Sequence, residues 1–241
     1  MEQKIKAIVL KSVDYQENDK LLLLYSGELG KFTAIIKGVK KPNAQLKYAS
    51  EQFCFGEYQF AQKNSHYVVI GCNCIESFYC LRNDIEKYYS ACVLLDTIAT
   101  LEQEESNPQL FVLLLKYLQK LVESQASPKL LALKFILTYL ASQGYGMQFD
   151  RCSLCKTTSF EKLYLDLEAG GITCMACRSN SALALPATTL SCLRLTADMP
   201  LDSISNLKFK PSYINDCLLT LYQYISHSLF KIKSLQELLT I

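Results

Sequence analysis

Histidine is scarce in this 241-residue chain, which has only His66 and His227. A hydrolase or nuclease centre built from clustered histidine and carboxylate ligands has little to draw on, so no catalytic centre is expected. Net charge is also nearly absent, at +2, so any attraction for a polyanion must come from a local patch and not from the field of the whole molecule. No apolar run approaches the ~18 residues of a membrane span; the longest lies at residues 110–115. The N-terminus carries Lys4 and Lys6 but no long apolar stretch ending in a small-residue cleavage site, which argues against a signal peptide. Eleven cysteines, an odd number scattered from Cys54 to Cys217, do not read as a secreted disulfide scaffold. A reducing cytoplasm is the expected compartment. Internal repeats, low-complexity tracts and charged tails are missing as well.

What the chain does have is apolar content, at 50%, enough for a sizeable core in one large domain or two to three small ones. From residue 4 to about residue 80 it reads as five short extended runs broken by turn residues: KIKAIVLKS, KLLLLYS, KFTAIIKG, EQFCFGEYQF and HYVVIGCNC. Five strands in that length predict a small barrel. Gly27 and Gly30 suit a hairpin loop between the second and third runs. In the third run Phe32, Ala34 and Ile36 alternate with Lys31, Thr33, Ile35 and Lys37, so one face packs inward and the other carries two ammonium groups outward. Cys72 and Cys74 fall on one strand face with Ile70 and read as core residues.

From about residue 83 to residue 143 the period becomes helical. Asn107 before Pro108, and Ser127 before Pro128, each read as an N-cap followed by proline in the first turn; Gly144 reads as the residue just past a helix end. Leu110, Leu113, Leu114, Tyr117, Leu118 and Leu121 form one stripe, and Leu130, Leu133, Lys134, Leu137 and Leu140 a second. Near the C-terminus Leu218, Leu221, Tyr222, Ile225 and Leu229 form a third, extended by Leu235, Leu238 and Leu239. The expected fold is therefore α+β and multidomain: a barrel at residues 1–82 and an all-α domain at residues 83–241, interrupted by a cysteine module at residues 150–180.

That module contains CSLC and CMAC, two CxxC knuckles at Cys152, Cys155, Cys174 and Cys177 with eighteen residues between them. A CxxC turn aims two thiolates at one point, and two such turns supply the closed tetrahedral shell of one structural zinc ion per chain. The intervening LYLDLEAGGIT reads as a strand, a turn at Gly170 and Gly171, and a return strand. Buried apolar cysteines or a redox pair are the alternatives, which two knuckles in register disfavour. Catalytic zinc is disfavoured further, because neither histidine lies near the module and the His-x-Glu with PCxxC signature of zinc deaminases is missing.

Lys31, Lys37, Lys40, Lys41 and Lys47 occupy a stretch with no Asp or Glu between residues 31 and 50, with Tyr48 interleaved. Cations that follow a phosphate backbone, with aromatics available for stacking, are the ingredients of single-strand binding on an OB barrel. Tyr15, Tyr25 and Tyr48 are the stacking candidates, since Phe32 falls on the core face. A solvated lysine face is the alternative reading.

Taken in order, KIKAIVLKSVDYQENDKLLLLYSGELGKFTAIIKGVKK, FILTYLASQGYGMQFDRCSLC, GGITCMAC and ISHSLFKIKSLQELL make the chain similar, over nearly its whole length, to the bacterial recombination mediator family RecO. The resemblance implies an N-terminal OB-fold barrel, a helical C-terminal domain with an embedded zinc finger, and no catalysis. It implies binding to single- and double-stranded DNA, annealing of complementary strands, and loading of the RecA recombinase onto DNA coated by single-stranded DNA-binding protein. RecR and that coating protein are the partners it implies; no membrane or small-molecule substrate is expected, and the place of action is the cytoplasm, at the nucleoid. The segment KGVKK resembles the family's basic loop, so a DNA-contact role carries to Lys37, Lys40 and Lys41. Members of the family often carry arginines here and a further basic residue beyond, where this chain has lysines, Pro42 and Asn43. Lysine lacks arginine's bidentate fork, which points to a weaker, more salt-sensitive grip. The rival reading is a zinc-stabilised protein–protein adaptor without direct DNA binding.

Overall fold

The computed structural model describes residues 2–63, 66–101, 105–159, 161–228 and 231–241, with the side chains of Lys63, Leu101 and Ser228 left out. Five strands come first: β1 (Glu2–Tyr15), β2 (Asp19–Ser26), β3 (Gly30–Ile36), β4 (Phe55–Lys63) and β5 (His66–Glu76). They close into a barrel in the order β1-β2-β3-β5-β4, with β4 returning antiparallel to β1 and only the β3–β5 pair parallel. This is the OB-like arrangement, in which closure removes free strand edges. The period-two alternation places Ile5, Ala7, Val9, Leu22, Leu24, Ala34, Ile36, Tyr58 and Phe60 in one core, with Phe32 packed against it.

Three register shifts break that alternation, and two of them redirect large apolar residues. Leu10 is skipped in the β1–β2 register, so Ile8, Val9 and Leu10 are buried in succession, and the Gln52 side-chain amide donates to the Leu10 carbonyl at 3.0 Å. Ile70 is skipped between Gln59↔Gly71 and Phe60↔Val69, which turns it outward to 43% exposure. Ile70 therefore does not share the inward face of Cys72 and Cys74, as strict alternation predicts, whereas both cysteines do pack against the barrel core.

The barrel's outer face is not all free. Ile8, Tyr25 and Phe55 are cross-strand neighbours there, and Tyr25 and Phe55 each place a ring 5.9 Å from that of Phe111. Phe111 belongs to α2 (Pro108–Glu123), which follows α1 (Ile85–Leu101). Asn107 caps α2 through its Oδ1, which accepts from the Leu110 amide at 3.0 Å.

By contact, one compact unit comprises Met1–Asp84 with Leu95–Val122, and a second comprises Ile85–Leu94 with Glu123–Ile241. Secondary structure changes near residue 82, but packing draws the line elsewhere. Phe111 ties α2 to the barrel, and the Lys11 ammonium meets the Asp96 carboxylate at 2.7 Å.

The second unit holds α3 (Pro128–Ser142), α4 (Ala187–Asp198), α5 (Pro211–Ser228) and α6 (Lys233–Leu239). Helix α3 is buried on nearly every side from Lys129 to Leu137, rather than along one stripe, because both α4 and α5 pack on it. Its two lysines end on polar groups: Lys129 Nζ donates to Asn215 Oδ1 at 3.0 Å and Lys134 Nζ to the Ala197 carbonyl at 2.8 Å. Burial holds the Lys134 ammonium below the usual lysine range, against the opposing pull of Asp198. Ser127 precedes α3 as its N-cap without a side-chain bond to the helix. Gly144, at φ +80°, ends it, with Tyr145 N donating to Leu140 O and Gly144 N to Ala141 O. Leu218, Leu221, Ile225, Leu235 and Leu238 are buried as the apolar stripe predicts; Leu229 lies outside the described residues. Among the described residues no helix is long and apolar enough to cross a membrane.

Candidate nucleic-acid interface and metal site

Between α3 and α4 the chain forms a three-stranded sheet of β6 (Leu163–Asp166), β7 (Gly171–Cys174) and β8 (Leu183–Leu185), in the order β7-β6-β8. Strands of three or four residues cannot build a core of their own. Two tight turns flank the β6–β7 hairpin. In the first, Lys156 N donates to Cys152 O, with Lys156 itself at φ +62°; in the second, the Cys177 and Arg178 amides both donate to Cys174 O. Ser153 fastens the first turn to β7 by donating both its amide, at 2.8 Å, and its hydroxyl, at 2.9 Å, to the Ile172 carbonyl.

The result brings together the four cysteines that the CxxC spacing singled out. The Sγ atoms of Cys152, Cys155, Cys174 and Cys177 all lie within 4.8 Å of one another and can hold one metal ion. Their protons are unevenly held. Burial opposes ionisation of Cys152, but the amides of Cys174, Cys155 and Leu154 outweigh it and bring the thiol down to about 6. Cys177 goes the other way, up to about 12, through hydrogen bonds with Cys155 and Cys174, burial, and the neighbouring Cys152 sulfur.

One residue that the spacing did not single out organises the module. Asp166, buried at the end of β6, accepts from the amides of Glu168 and Ala169 in the hairpin turn. It also accepts from the amide of Ser179, at 2.6 Å, and from its hydroxyl, just beyond the second knuckle. Burial pushes its carboxyl up, and the four donors more than reverse this, leaving it below the usual carboxylate range. An aspartate at the last residue of a strand before a Gly-Gly turn was the available signal. Arg178 adds a cation–π contact, 4.6 Å from the centroid of Tyr164.

The basic stretch on the barrel divides into two. Lys31 leaves the outer face of β3 and donates its Nζ to the Ala99 carbonyl, 3.0 Å away in the last turn of α1. It thus stabilises a helix C-terminus. Beyond β3 the chain enters a loop that Val39, Leu46 and Ala49 nail to the barrel core. Gly38, at φ +68°, starts it, and its amide donates to Asp19 Oδ1 at 2.8 Å. Around these anchors Lys37, Lys40, Lys41 and Lys47 are exposed. Lys40 pairs with Asp14 at 2.7 Å, a contact that holds the Asp14 carboxyl below its ordinary value. Lys37, Lys41 and Lys47 have no acidic partner among the described residues. Lys37 and Lys41 line an open cleft of about 450 Å³ with Gln16, Glu17, Asn18, Asp19 and Gly38.

Of the three stacking candidates, Tyr25 is fully buried under α2 and cannot receive a base. Tyr15 remains 39% and Tyr48 44% exposed, and the Tyr48 hydroxyl donates to the Cys72 carbonyl at 2.6 Å, which fixes its ring beside Lys47 in sequence.

Comparison with known proteins bears on both units. The family profile described as recombination protein O N terminal matches residues 1–78, and recombination protein O C terminal matches residues 82–236. The chain is 33% identical over 233 residues to the DNA repair protein RecO of Clostridium kluyveri, covering 95% of this chain and 89% of that one. It is 30% identical to the protein of the same name from Clostridium perfringens, covering 94% and 88%. A third, from Myxococcus xanthus, is 34% identical over 78% of each chain.

Proposed function

The chain belongs to the recombination protein O family of DNA repair proteins, and from this membership we propose that it binds DNA through the lysine loop of its barrel. There it anneals complementary strands and helps load RecA onto single-stranded DNA coated by single-stranded DNA-binding protein. The observation that carries the reading is a loop whose apolar residues are sunk in the barrel core while Lys37, Lys41 and Lys47 stand exposed with no acidic partner among the described residues, and Lys40 pairs with an exposed acid. Annealing breaks no bond. It needs cations to quench repulsion between two backbones while base edges stay free to pair, and the anchored loop holds those cations in one place. Lys31 supports the scaffold in this reading and does not touch phosphate.

The metal is structural zinc. In a tetrahedral four-thiolate site with bonds of about 2.3 Å, neighbouring sulfurs lie about 3.8 Å apart. Cys155 and Cys174 are separated by 3.8 Å. With all four cysteines as ligands, a bound zinc ion would have no place for a reacting water. RecR and the coating protein are the partners in this reading, and the nucleoid within the cytoplasm is the place of action.

The deciding variant is the triple substitution Lys37→Glu, Lys40→Glu and Lys41→Glu. It should weaken binding to a labelled single strand irrespective of base sequence, lower the salt slope by about three, and abolish annealing of coated strands. Unchanged affinity with an unchanged slope would move the DNA site elsewhere, with Lys208, Lys210, Lys231 and Lys233 next in line. No complex with DNA at low salt in the intact protein would favour the adaptor.

A further inference from the structure

Three bulky side chains are layered where the barrel ends, and neither the metal site nor the lysine loop uses them. After β5 the chain makes a short 3-10 helix (Tyr79–Asn83) before it enters α1. Phe78 and Leu81 are buried and pin this turn, with the Leu81 amide donating to the Phe78 carbonyl at 3.1 Å. Tyr79 is left in solvent at 66% exposure, more than any other large hydrophobic side chain among the described residues.

One face of that ring is already backed. The guanidinium carbon of Arg82 lies over two rings, 5.3 Å from the centroid of Tyr79 and 5.4 Å from that of the fully buried Phe53. Arg82 is fixed there: its Nη2 donates to the Gln52 carbonyl at 3.0 Å and lies 3.9 Å from the Glu51 carboxylate. Phe53 is held to β1 in turn, its amide donating to the Val9 carbonyl at 3.1 Å. Phe53, at φ +76°, and Phe78, at φ +49°, both take the left-handed conformation that bulky residues rarely adopt, and burial of both rings keeps them in it. A solvent-facing aromatic on a fixed cation on a buried aromatic is a preorganised surface, because its ring has little freedom left to lose when a second flat group lands on it.

We propose that the open face of Tyr79 binds an unpaired nucleobase of the single strand whose phosphates the lysine loop grips, an assignment that rests on the function proposed above. Charge and contact join the two places. Lys20 Nζ lies 3.8 Å from the same Glu51 carboxylate that Arg82 approaches, so two cations bracket one acid. The residue before it, Asp19, accepts from the Gly38 amide and lines the cleft with Lys37 and Lys41. Successive contacts thus run from the cleft to the ring within the barrel unit. An OB barrel engages strands of ~4–16 nucleotides, long enough to occupy both.

Such a platform distinguishes single strands from duplex. In a duplex each base is covered by its neighbours in the stack, so its faces are closed to an outside ring, whereas in a single strand a base turns out at little cost. The lysines meet phosphate in either form; Tyr79 meets only the unpaired one. Every base has a π face, so the contact is indifferent to sequence. Stacking also uses the face of the base and leaves its pairing edge open to an incoming strand, as annealing requires.

The test measures the affinity of the zinc-replete full chain for a labelled thymidine strand, an abasic strand of the same length and charge, and a duplex. Tyr79→Ala should weaken binding to the thymidine strand about tenfold and leave the abasic strand, the duplex and the salt slope as they were. Tyr79→Phe and Tyr79→Trp keep a ring and should bind as the wild type does. A strand carrying iododeoxyuridine should photocrosslink to the peptide that contains Tyr79. Equal weakening for all three ligands would make the ring a structural prop and overturn the proposal. Unchanged affinity of Tyr79→Ala for the thymidine strand would overturn it too, and would leave the ring to a protein partner. A wild type that binds none of the three refutes the DNA reading itself and the platform with it, whereas a wild type that binds all three while Tyr79→Ala matches it refutes the platform alone.

Discussion

The barrel and the cysteine module solve the same problem, presenting polar chain on a fixed frame, with different means. In the barrel an apolar core of five strands does the holding. The lysine loop borrows that core through Val39, Leu46 and Ala49, so its fold does not depend on ion pairs made by its cations. The module has strands of only four, four and three residues, and relies on point attachments: four sulfurs at one locus and the carboxylate of Asp166. A loop backed by a core tolerates loss of one side chain, whereas a hub-and-spoke module does not.

The largest expected effect therefore falls on the sulfurs. Cys174→Ser should reduce bound metal from about one per chain to near zero and remove hydrogen-exchange protection from β6 and β7, while the barrel strands keep theirs. Equal loss in both regions would erase the contrast. Asp166→Ala comes next, at about 2–4 kcal/mol, since it strands several amide donors in a buried turn. Because its carboxyl lies lower in the folded state than in the unfolded chain, its contribution is present above the ordinary aspartate range and is lost as pH falls through the depressed folded value. A melting series from pH 7 to pH 3 should show the wild type losing more stability than Asp166→Ala.

Within the barrel unit, Lys31→Met should cost about 1–2 kcal/mol by leaving the Ala99 carbonyl without its cation, yet leave the salt slope of DNA binding unchanged. A changed slope would return Lys31 to the interface. Asn107→Ala should cost about 1 kcal/mol, read from the urea midpoint, through loss of the α2 cap. Smallest is Asp14→Asn, which frees Lys40. It should raise single-strand affinity about two- to fivefold at low salt without moving the melting temperature.

Much of this fold was legible as local pattern. Alternating apolar residues placed all five barrel strands, Asn107-Pro108 and Gly144 marked helix ends that the structure caps as expected, and paired CxxC turns located the four-sulfur cluster. The tight spacing of two thiols in a turn is local geometry, so the sequence shows it directly. Helix α3 was only half legible. Its stripe was visible, but the burial of Lys129 and Lys134 depends on carbonyl and amide groups of α4 and α5 that lie more than sixty residues away in the chain.

By itself, then, the order of residues determined which side of each strand a group leaves from, where helices begin and stop, and which sulfurs converge. Tertiary structure alone decided what each outward group meets there. It placed Lys31 on a helix end and Tyr25 beneath Phe111, turned Ile70 out at a bulge, made Asp166 the module's hub, and set Cys54 against the Cys74 thiol of another strand. Periodicity is a property of neighbouring backbone dihedrals, whereas the partner across a contact is chosen by chain closure over tens of residues, which no short window contains.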